Sequence, residues 1–217
     1  MRALILGLAV LFSATRAGAE PKMTFWRWFE SNDERIASYE SNQEAIFDEI
    51  ADQLSKIHED LTFEIGPLID GRRDFVVSAG GIKSAFPAVE SLAASAPKLS
   101  RWNVIAFRPR HEPILAIGYG AVRVDPKDVR YWLGRHDGEI AVVIYLPKFA
   151  SYNETTKKMI AYLFLDQSLG EYDVEMGLGP IDVRAVENVD PSQVKPIDQL
   201  AKDFDEMRSQ SRRITSK

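Results

Sequence analysis

The fold is decided by the stretch Val129-Arg-Tyr-Trp-Leu-Gly-Arg-His-Asp-Gly-Glu-Ile-Ala-Val-Val-Ile-Tyr-Leu146. Two runs of β-branched and aromatic residues, Val129–Leu133 and Ile140–Leu146, flank the turn-forming segment Gly134–Gly138. Apolar runs joined by a short segment rich in Gly and Asp predict a β-hairpin. Because a hairpin pairs its two strands antiparallel, this stretch predicts an antiparallel sheet.

Alternating or continuous apolar runs elsewhere predict further strands at Leu61–Ile65, Phe75–Val77, Trp102–Phe107, Ile114–Val124 and Pro180–Val186. Apolar residues spaced three and four apart predict helices at Ser41–Ile57, Ser84–Ala96, Ser151–Gly170 and Pro196–Met207. Capping boxes predict helix starts at Ser31, Ser41 and Ser151, each followed by Glu three residues later. Strands clustered in adjacent runs favour the α+β class, with a mainly antiparallel or mixed sheet, helices packed largely on one face, and a single domain.

The N-terminal residues have the three-part pattern of a secretory signal peptide. Arg2 is followed by an apolar run from Ala3 to Phe12, and Ala17-Gly-Ala19 fits a cleavage site, so we expect residues 1–19 to be removed. The apolar run is too short for a permanent membrane anchor. We therefore expect a periplasmic or secreted bacterial protein; the alternative is a cytoplasmic protein whose translation starts at Met23.

The expected organisation is one domain over residues 20–206, followed by a disordered basic tail over 207–217. The formal net charge of −5 gives no electrostatic preference for nucleic acid. The chain has no cysteine, and its three histidines are scattered, so we expect no metal site. Phosphate-loop, dinucleotide and nucleophile-elbow motifs are also missing from the sequence, which predicts no cofactor and assigns no catalytic residue.

The most concentrated polar segment is Phe107-Arg-Pro-Arg-His-Glu-Pro113. Two guanidinium groups and an imidazole at a strand exit are suited to a carboxylate or phosphate ligand. The candidate ligand-binding residues are therefore Arg108, Arg110, His111 and, from the acidic segment described next, Glu171. The alternative is a charged loop in which Arg108 pairs with a carboxylate of its own domain.

Two other segments have a structural and a functional interpretation. The carboxylates Asp166, Glu171, Asp173 and Glu175 are suited to acid–base chemistry or to Ca²⁺, or they form a helix end and a loop that face solvent. The aromatic block Phe25-Trp-Arg-Trp-Phe29 is suited to stacking on a sugar or base, or it anchors the first helix to the core.

Several of these features occur together in the order Phe25-Trp-x-Trp-Phe29, Leu61-x-Phe-Glu-Ile65, Phe86-Pro87, Trp102-x-x-x-Ala-Phe-x-Pro109 and Leu169-Gly-Glu171. Because of these segments and their order, the chain resembles a widespread group of bacterial proteins of unknown function that open with an FW-x-WF segment. The resemblance spans residues 25–186 and rests on aromatic, Pro and Gly positions. It implies a shared fold and implies no activity, cofactor or catalytic residue.

The best functional hypothesis from the sequence is a non-enzymatic binding or interaction domain exported from a bacterial cell, with a possible protein partner. One alternative is a small hydrolase-type enzyme that uses Arg108, Arg110, His111 and Glu171 in a cleft. Another is an inhibitor or immunity-type protein whose acidic surface masks a basic partner. The hydrolase alternative requires those four side chains to converge on one cavity.

Overall fold

The computed structural model describes the backbone of residues 19–215 and the side chains of residues 20–210. Apart from the backbone of Ala19, the predicted signal peptide lies outside the described residues, as do residues 216–217 of the predicted tail. Contacts within the chain define two compact units, Met1–Ala106 and Phe107–Lys217, which we call the first and second units. The boundary between them coincides with no Pro-, Gly- or Ser-rich linker.

The first unit consists of four helices and a three-stranded sheet over its described residues. Its helices are α1 (Ala19–Ser31), α2 (Asp33–Ala37), α3 (Gln43–Ser55) and α4 (Phe86–Ala94), and its strands are β1 (Thr62–Ile65), β2 (Arg73–Ser78) and β3 (Trp102–Ala106). β1 pairs with β2 antiparallel and β2 pairs with β3 parallel, so the sheet is mixed. The parallel pair is possible because α4 lies in the connection between its strands.

The core of the first unit is built from aromatic rings. Phe75 of β2 is fully buried and lies at the centre, in contact with Phe25, Trp26, Phe29 and Trp102. The aromatic block therefore packs against the sheet, which is the structural interpretation of that segment. The block is itself part of α1, the first helix.

All three predicted capping boxes are wrong in detail. The helix predicted to start at Ser151 begins at Glu154, and its cap is Asn153, whose side-chain oxygen accepts from the Thr156 N–H.

α2 and α3 begin after Asn32 and Asn42, one residue beyond the predicted serines, and neither Asn side chain makes a capping hydrogen bond. Ser31 and Ser41 instead donate their hydroxyls to backbone carbonyls of preceding residues. Such local hydrogen bonds compete with capping because they turn the hydroxyl towards the preceding residues.

The second unit consists of three helices and two sheets over its described residues. Its strands are β4 (Ile117–Tyr119), β5 (Val122–Val124), β6 (Arg130–His136), β7 (Glu139–Leu146), β8 (Ile181–Ala185) and β9 (Lys195–Pro196), and its helices are α5 (Glu154–Leu169), α6 (Glu171–Gly177) and α7 (Leu200–Thr215). The larger sheet has the order β8-β7-β6-β9. Its β6–β7 and β6–β9 pairs are antiparallel and its β7–β8 pair is parallel.

The predicted hairpin is confirmed as β6–β7. Its turn consists of Asp137 and Gly138 alone, both with positive φ, so each strand extends further than predicted. This two-residue turn matches the twist of antiparallel strands, and Gly138 adopts its φ of 89° without steric cost. The α+β class with mixed and antiparallel sheets is likewise confirmed.

The core of the second unit is mainly aliphatic. Ile140, Val142, Ile144 and Leu146 alternate along β7 and pack on the same core as Phe164 of α5. Apolar residues that recur every second position on a strand share one face of the sheet, which places the buried helix against that face. The core follows directly from the apolar run in the sequence.

The structure corrects three boundaries in the second unit. The predicted strand Ile114–Val124 is a small hairpin, because Gly120 takes a positive φ between β4 and β5. The segment after Gly170 is the helix α6, and not the solvent-facing loop that was one interpretation of its carboxylates. The predicted tail from residue 207 continues α7 to Thr215, and the Met207 carbonyl accepts a hydrogen bond from Arg135.

Candidate functional site

The loop that follows β3 is fixed to the α5–α6 junction by reciprocal hydrogen bonds. The backbone N–H of Arg108 donates to Glu171 Oε2 at 3.1 Å, and the backbone N–H of Glu171 donates to the Arg108 carbonyl at 3.0 Å. The Glu171 side chain is completely buried. A buried carboxylate requires hydrogen-bond donors, and the loop supplies one here.

The junction itself depends on a glycine. Gly170 ends α5 with φ 79°, and a Cβ at this position would lie 3.2 Å from the Arg108 carbonyl oxygen. A side chain would therefore meet both backbone strain and crowding. The Gly170-Glu171 pair in the sequence thus allows the loop to approach the helix junction closely.

The Arg108 guanidinium pairs with Asp166 of α5, with Nη1 and Oδ2 3.0 Å apart. The two side chains are only 23% and 16% exposed. Burial raises the pKa of Asp166 to about 6; the positive charge of Arg108 opposes this increase, and Glu171 and Glu175 add to it. The alternative in which Arg108 pairs with a carboxylate of its own domain is the one observed.

Arg110 joins three helices by its hydrogen bonds. Its Nε donates to the Leu169 carbonyl at 2.9 Å, and its terminal nitrogens donate to Asp205 at 2.8 Å and Asp173 at 2.9 Å. The pKa of Arg110 is raised, first by the hydrogen bond to Asp205. Arg208 of α7 adds a second ion pair to Asp173. We call Arg108, Arg110, Asp166, Glu171, Asp173, Asp205 and Arg208 the ion-pair cluster.

Several members of this cluster were not candidate residues from the sequence. Asp205 lies among ordinary helix charges, and Arg208 belonged to the predicted disordered tail. No local spacing links them to Arg110, which precedes Asp205 by 95 positions. Among the members that were not candidate residues, only Asp166 and Asp173 stand out in the sequence, as part of an acidic segment.

A cavity of about 710 Å³ opens beside the cluster in the second unit. Arg110 and His111 line it, whereas Arg108 and Glu171 do not. The structure therefore brings Arg108, Arg110 and Glu171 into one ion-pair cluster, and it brings only Arg110 and His111 to the cavity. The four predicted residues do not converge on a shared cleft.

The cavity combines an apolar wall with charges of both signs. The other charged lining residues are Glu112, Asp125, Lys127, Asp198 and Lys202, and the apolar ones are Pro113, Ile114, Pro126, Pro196, Ile197 and Ala201. They come from the loop after β3, the turn before β6 and the start of α7. A volume of this size is typical of small-molecule sites.

The charged side chains of the cavity form fewer and longer ion pairs than those of the cluster. Lys127 lies 3.4 Å from Asp125, and Lys202 lies 4.0 Å from Glu206, with both lysines more than 70% exposed. Within side chains 20–210, the side chains of Glu112 and Asp198 make no hydrogen bond or ion pair. The same is true of the His111 imidazole, whose backbone N–H donates to the Gln167 carbonyl at 2.8 Å.

The described residues contain neither a metal-binding cluster nor a membrane-spanning helix. In side chains 20–210, no three His, Cys, Asp or Glu residues are grouped so as to hold a metal ion. No helix within residues 19–215 has both the length and the apolar character needed to cross a membrane.

Comparison of the chain with models of protein families, with curated proteins and with solved structures found no match. The resemblance to bacterial proteins with an FW-x-WF segment therefore stays a prediction.

Proposed function

We propose that this protein is a non-enzymatic binding domain whose ligand site is the cavity of the second unit. The observation that carries the proposal is that some charged side chains of the second unit are paired within it, whereas others line the cavity unpaired. Arg108, Arg110 and Glu171 are used in bonds within the unit, whereas Glu112 and Asp198 face the cavity without a partner among the described side chains. Charges left exposed on a concave surface are suited to an external ligand.

The hydrolase alternative loses the support that it had from the sequence. It needs a base and an anion-binding group at hydrogen-bond reach of one substrate position. Arg108 and Glu171 do not line the cavity that contains His111. The Arg110 guanidinium already donates to Leu169, Asp173 and Asp205.

We also propose export from a bacterial cell, on the three-part pattern of residues 1–19. N-terminal sequencing of the native protein tests this part. A mature chain that begins at Glu20 is the expected result, and a cytosolic chain that begins at Met23 or Thr24 would contradict it.

The binding proposal is tested by thermal unfolding of the purified protein with a panel of amino acids, dipeptides, monosaccharides and nucleotides. A compound present at ten times its Kd stabilises the folded state by about 1.4 kcal/mol. For a chain of this size we expect a rise in Tm of about 3–6 °C. Incubation of the same compounds with the protein, followed by product analysis, detects any turnover.

The variant Ala201→Trp fills the cavity from α7 and is expected to abolish the rise in Tm. Gln210→Trp, an exposed position on the same helix, is the matched control and should retain it. The proposal fails if no compound shifts the Tm, if the shift persists in Ala201→Trp, or if the protein converts a panel compound to product.

A further inference from the structure

Both signs of charge are available in the cavity. Glu112 comes from the loop after β3 and Asp198 from the turn before α7, and neither makes a hydrogen bond or ion pair within side chains 20–210. Lys127 and Lys202 come from the turn before β6 and from the first turn of α7. A ligand that enters the cavity therefore meets two unpaired carboxylates and two ammonium groups. The third lining carboxylate, Asp125, already accepts from the Lys127 backbone N–H and lies 3.4 Å from its ammonium group.

The two lysines are free to exchange their present partners for a ligand. Lys127 is 74% exposed and 3.4 Å from Asp125, and Lys202 is 79% exposed and 4.0 Å from Glu206. Ion pairs this exposed and this long contribute little and are screened by salt. Arg110 differs, because its bonds to three acceptors hold it as part of the wall.

A ligand of one charge would leave half of these groups unmatched. An anion would place negative charge near Glu112 and Asp198, and a cation would meet the two lysines. A neutral ligand would remove water from all four groups without replacing their hydrogen bonds, which is unfavourable. A ligand with one positive and one negative group matches both pairs.

The rest of the wall indicates what lies between the two charges of the ligand. Pro113, Ile114, Ile197 and Ala201 supply apolar surface beside the charged groups. Burial of an apolar body against such a surface is favourable in proportion to the area removed from water. The cavity therefore matches a molecule with charged ends and an apolar side chain.

We propose that this cavity binds a small zwitterion, with one ammonium, one carboxylate and an apolar body, as in a free amino acid or a short peptide. This inference rests on the proposed function, since both use the same cavity. The ammonium is held by Glu112 and Asp198, and the carboxylate by Lys127 and Lys202. His111, which also lines the cavity, adds a further polar contact.

The test is isothermal titration with leucyl-leucine in four forms: free, N-acetylated, C-amidated, and blocked at both ends. The free dipeptide is expected to bind most tightly, and each block to weaken binding at least about tenfold, the equivalent of one lost charged contact. Free leucine is a fifth probe, and its affinity relative to the dipeptide tells whether an amino acid or a peptide is preferred.

Two variants that each remove one charge assign the ends. Lys202→Gln should weaken the free dipeptide and reduce the difference in affinity between the free form and the C-amide, since only Lys127 then remains to hold the carboxylate. Asp198→Asn should do the same for the N-acetyl form. The controls are Lys158→Gln and Asp137→Asn, which neutralise exposed residues outside the cavity and should leave all affinities unchanged.

The outcome separates this inference from the proposed function. If a singly blocked form binds as tightly as the free dipeptide in the wild-type protein, the zwitterion assignment is overturned. It is also overturned if no form binds, although a panel compound that shifts the Tm and loses this effect in Ala201→Trp would then keep the binding function itself intact.

Discussion

The core of the first unit and the core of the second unit are stabilised by different kinds of interaction. In the first unit, aromatic rings converge on Phe75, and buried ring N–H groups find acceptors, as in the hydrogen bond from Trp26 Nε1 to the Leu92 carbonyl at 3.1 Å. In the second unit, an aliphatic core lies under α5, and the ion-pair cluster ties the ends of its helices together. Arg108, Arg110 and Glu171, which suggest a binding site in the sequence, instead form hydrogen bonds and ion pairs within the unit.

The comparison teaches where to look for function in the second unit. Arginine and carboxylate side chains that are buried and paired specify how the loop after β3 meets the helices. The charges of the cavity are exposed and weakly paired, so the fold does not depend on them.

The largest effect is expected in the aromatic core. Phe75→Ala should lower the free energy of unfolding by about 3–5 kcal/mol, because it leaves a cavity among rings that cannot close around it. Urea denaturation measures the loss, and amide exchange should increase in β1–β3. Phe63→Ala removes a half-buried ring that stacks on Phe75 at 5.8 Å, and should cost less. An equal or larger loss in Phe63→Ala would contradict the central place of Phe75.

The next effect concerns the buried carboxylate of the cluster. Glu171→Ala should lower the free energy of unfolding by about 2–4 kcal/mol, since it leaves the Arg108 N–H without this acceptor. Glu171→Gln keeps an acceptor oxygen and should recover part of the loss in the same denaturation experiment. Glu206→Ala, at an exposed position on α7, is the control. If the alanine and glutamine variants lose equal stability, the hydrogen bond is not what Glu171 contributes.

The third effect is a pH dependence. The pKa of Asp166 is about 6 in the folded protein against an ordinary value of 3.8, so the folded state binds a proton more tightly than the unfolded state. The stability from this proton is fully present below about pH 4 and is lost as the pH rises through about 6, a change on the order of 2–3 kcal/mol.

Asp166→Asn removes this proton equilibrium and keeps an oxygen that accepts from Arg108. The free energy of unfolding of the variant should therefore increase relative to that of wild type when the pH is raised from 4.5 to 7.5. Urea denaturation at the two pH values measures this change. Asp137→Asn, in the exposed hairpin turn, should show no such gain. A difference between Asp166→Asn and wild type that does not change with pH would contradict the raised pKa.

The smallest effect is expected at the cavity. Lys202→Gln and His111→Ala should change the free energy of unfolding by less than about 0.5 kcal/mol, because neither side chain is buried or strongly paired. The same denaturation experiment checks this. A loss above about 1 kcal/mol in either variant would mean that the cavity charges are structural, and the contrast with the cluster would disappear.

Local patterns determined a large part of the fold. The hairpin β6–β7 and the end of α5 at Gly170 each follow from neighbouring residues in the sequence. The α+β class follows from the order of these elements. Local patterns were less reliable at helix starts, where Ser31 and Ser41 hydrogen-bond to nearby carbonyls.

The tertiary structure alone decided which charges are structural and which are available. Arg110 and His111 are neighbours in the sequence, yet the guanidinium is bound to three acceptors while the imidazole faces the cavity. The acceptors of Arg110 lie 59 to 95 residues away, a separation that no local spacing encodes. Ionic pairing depends on distance in space, and that distance is fixed only when the helices have packed.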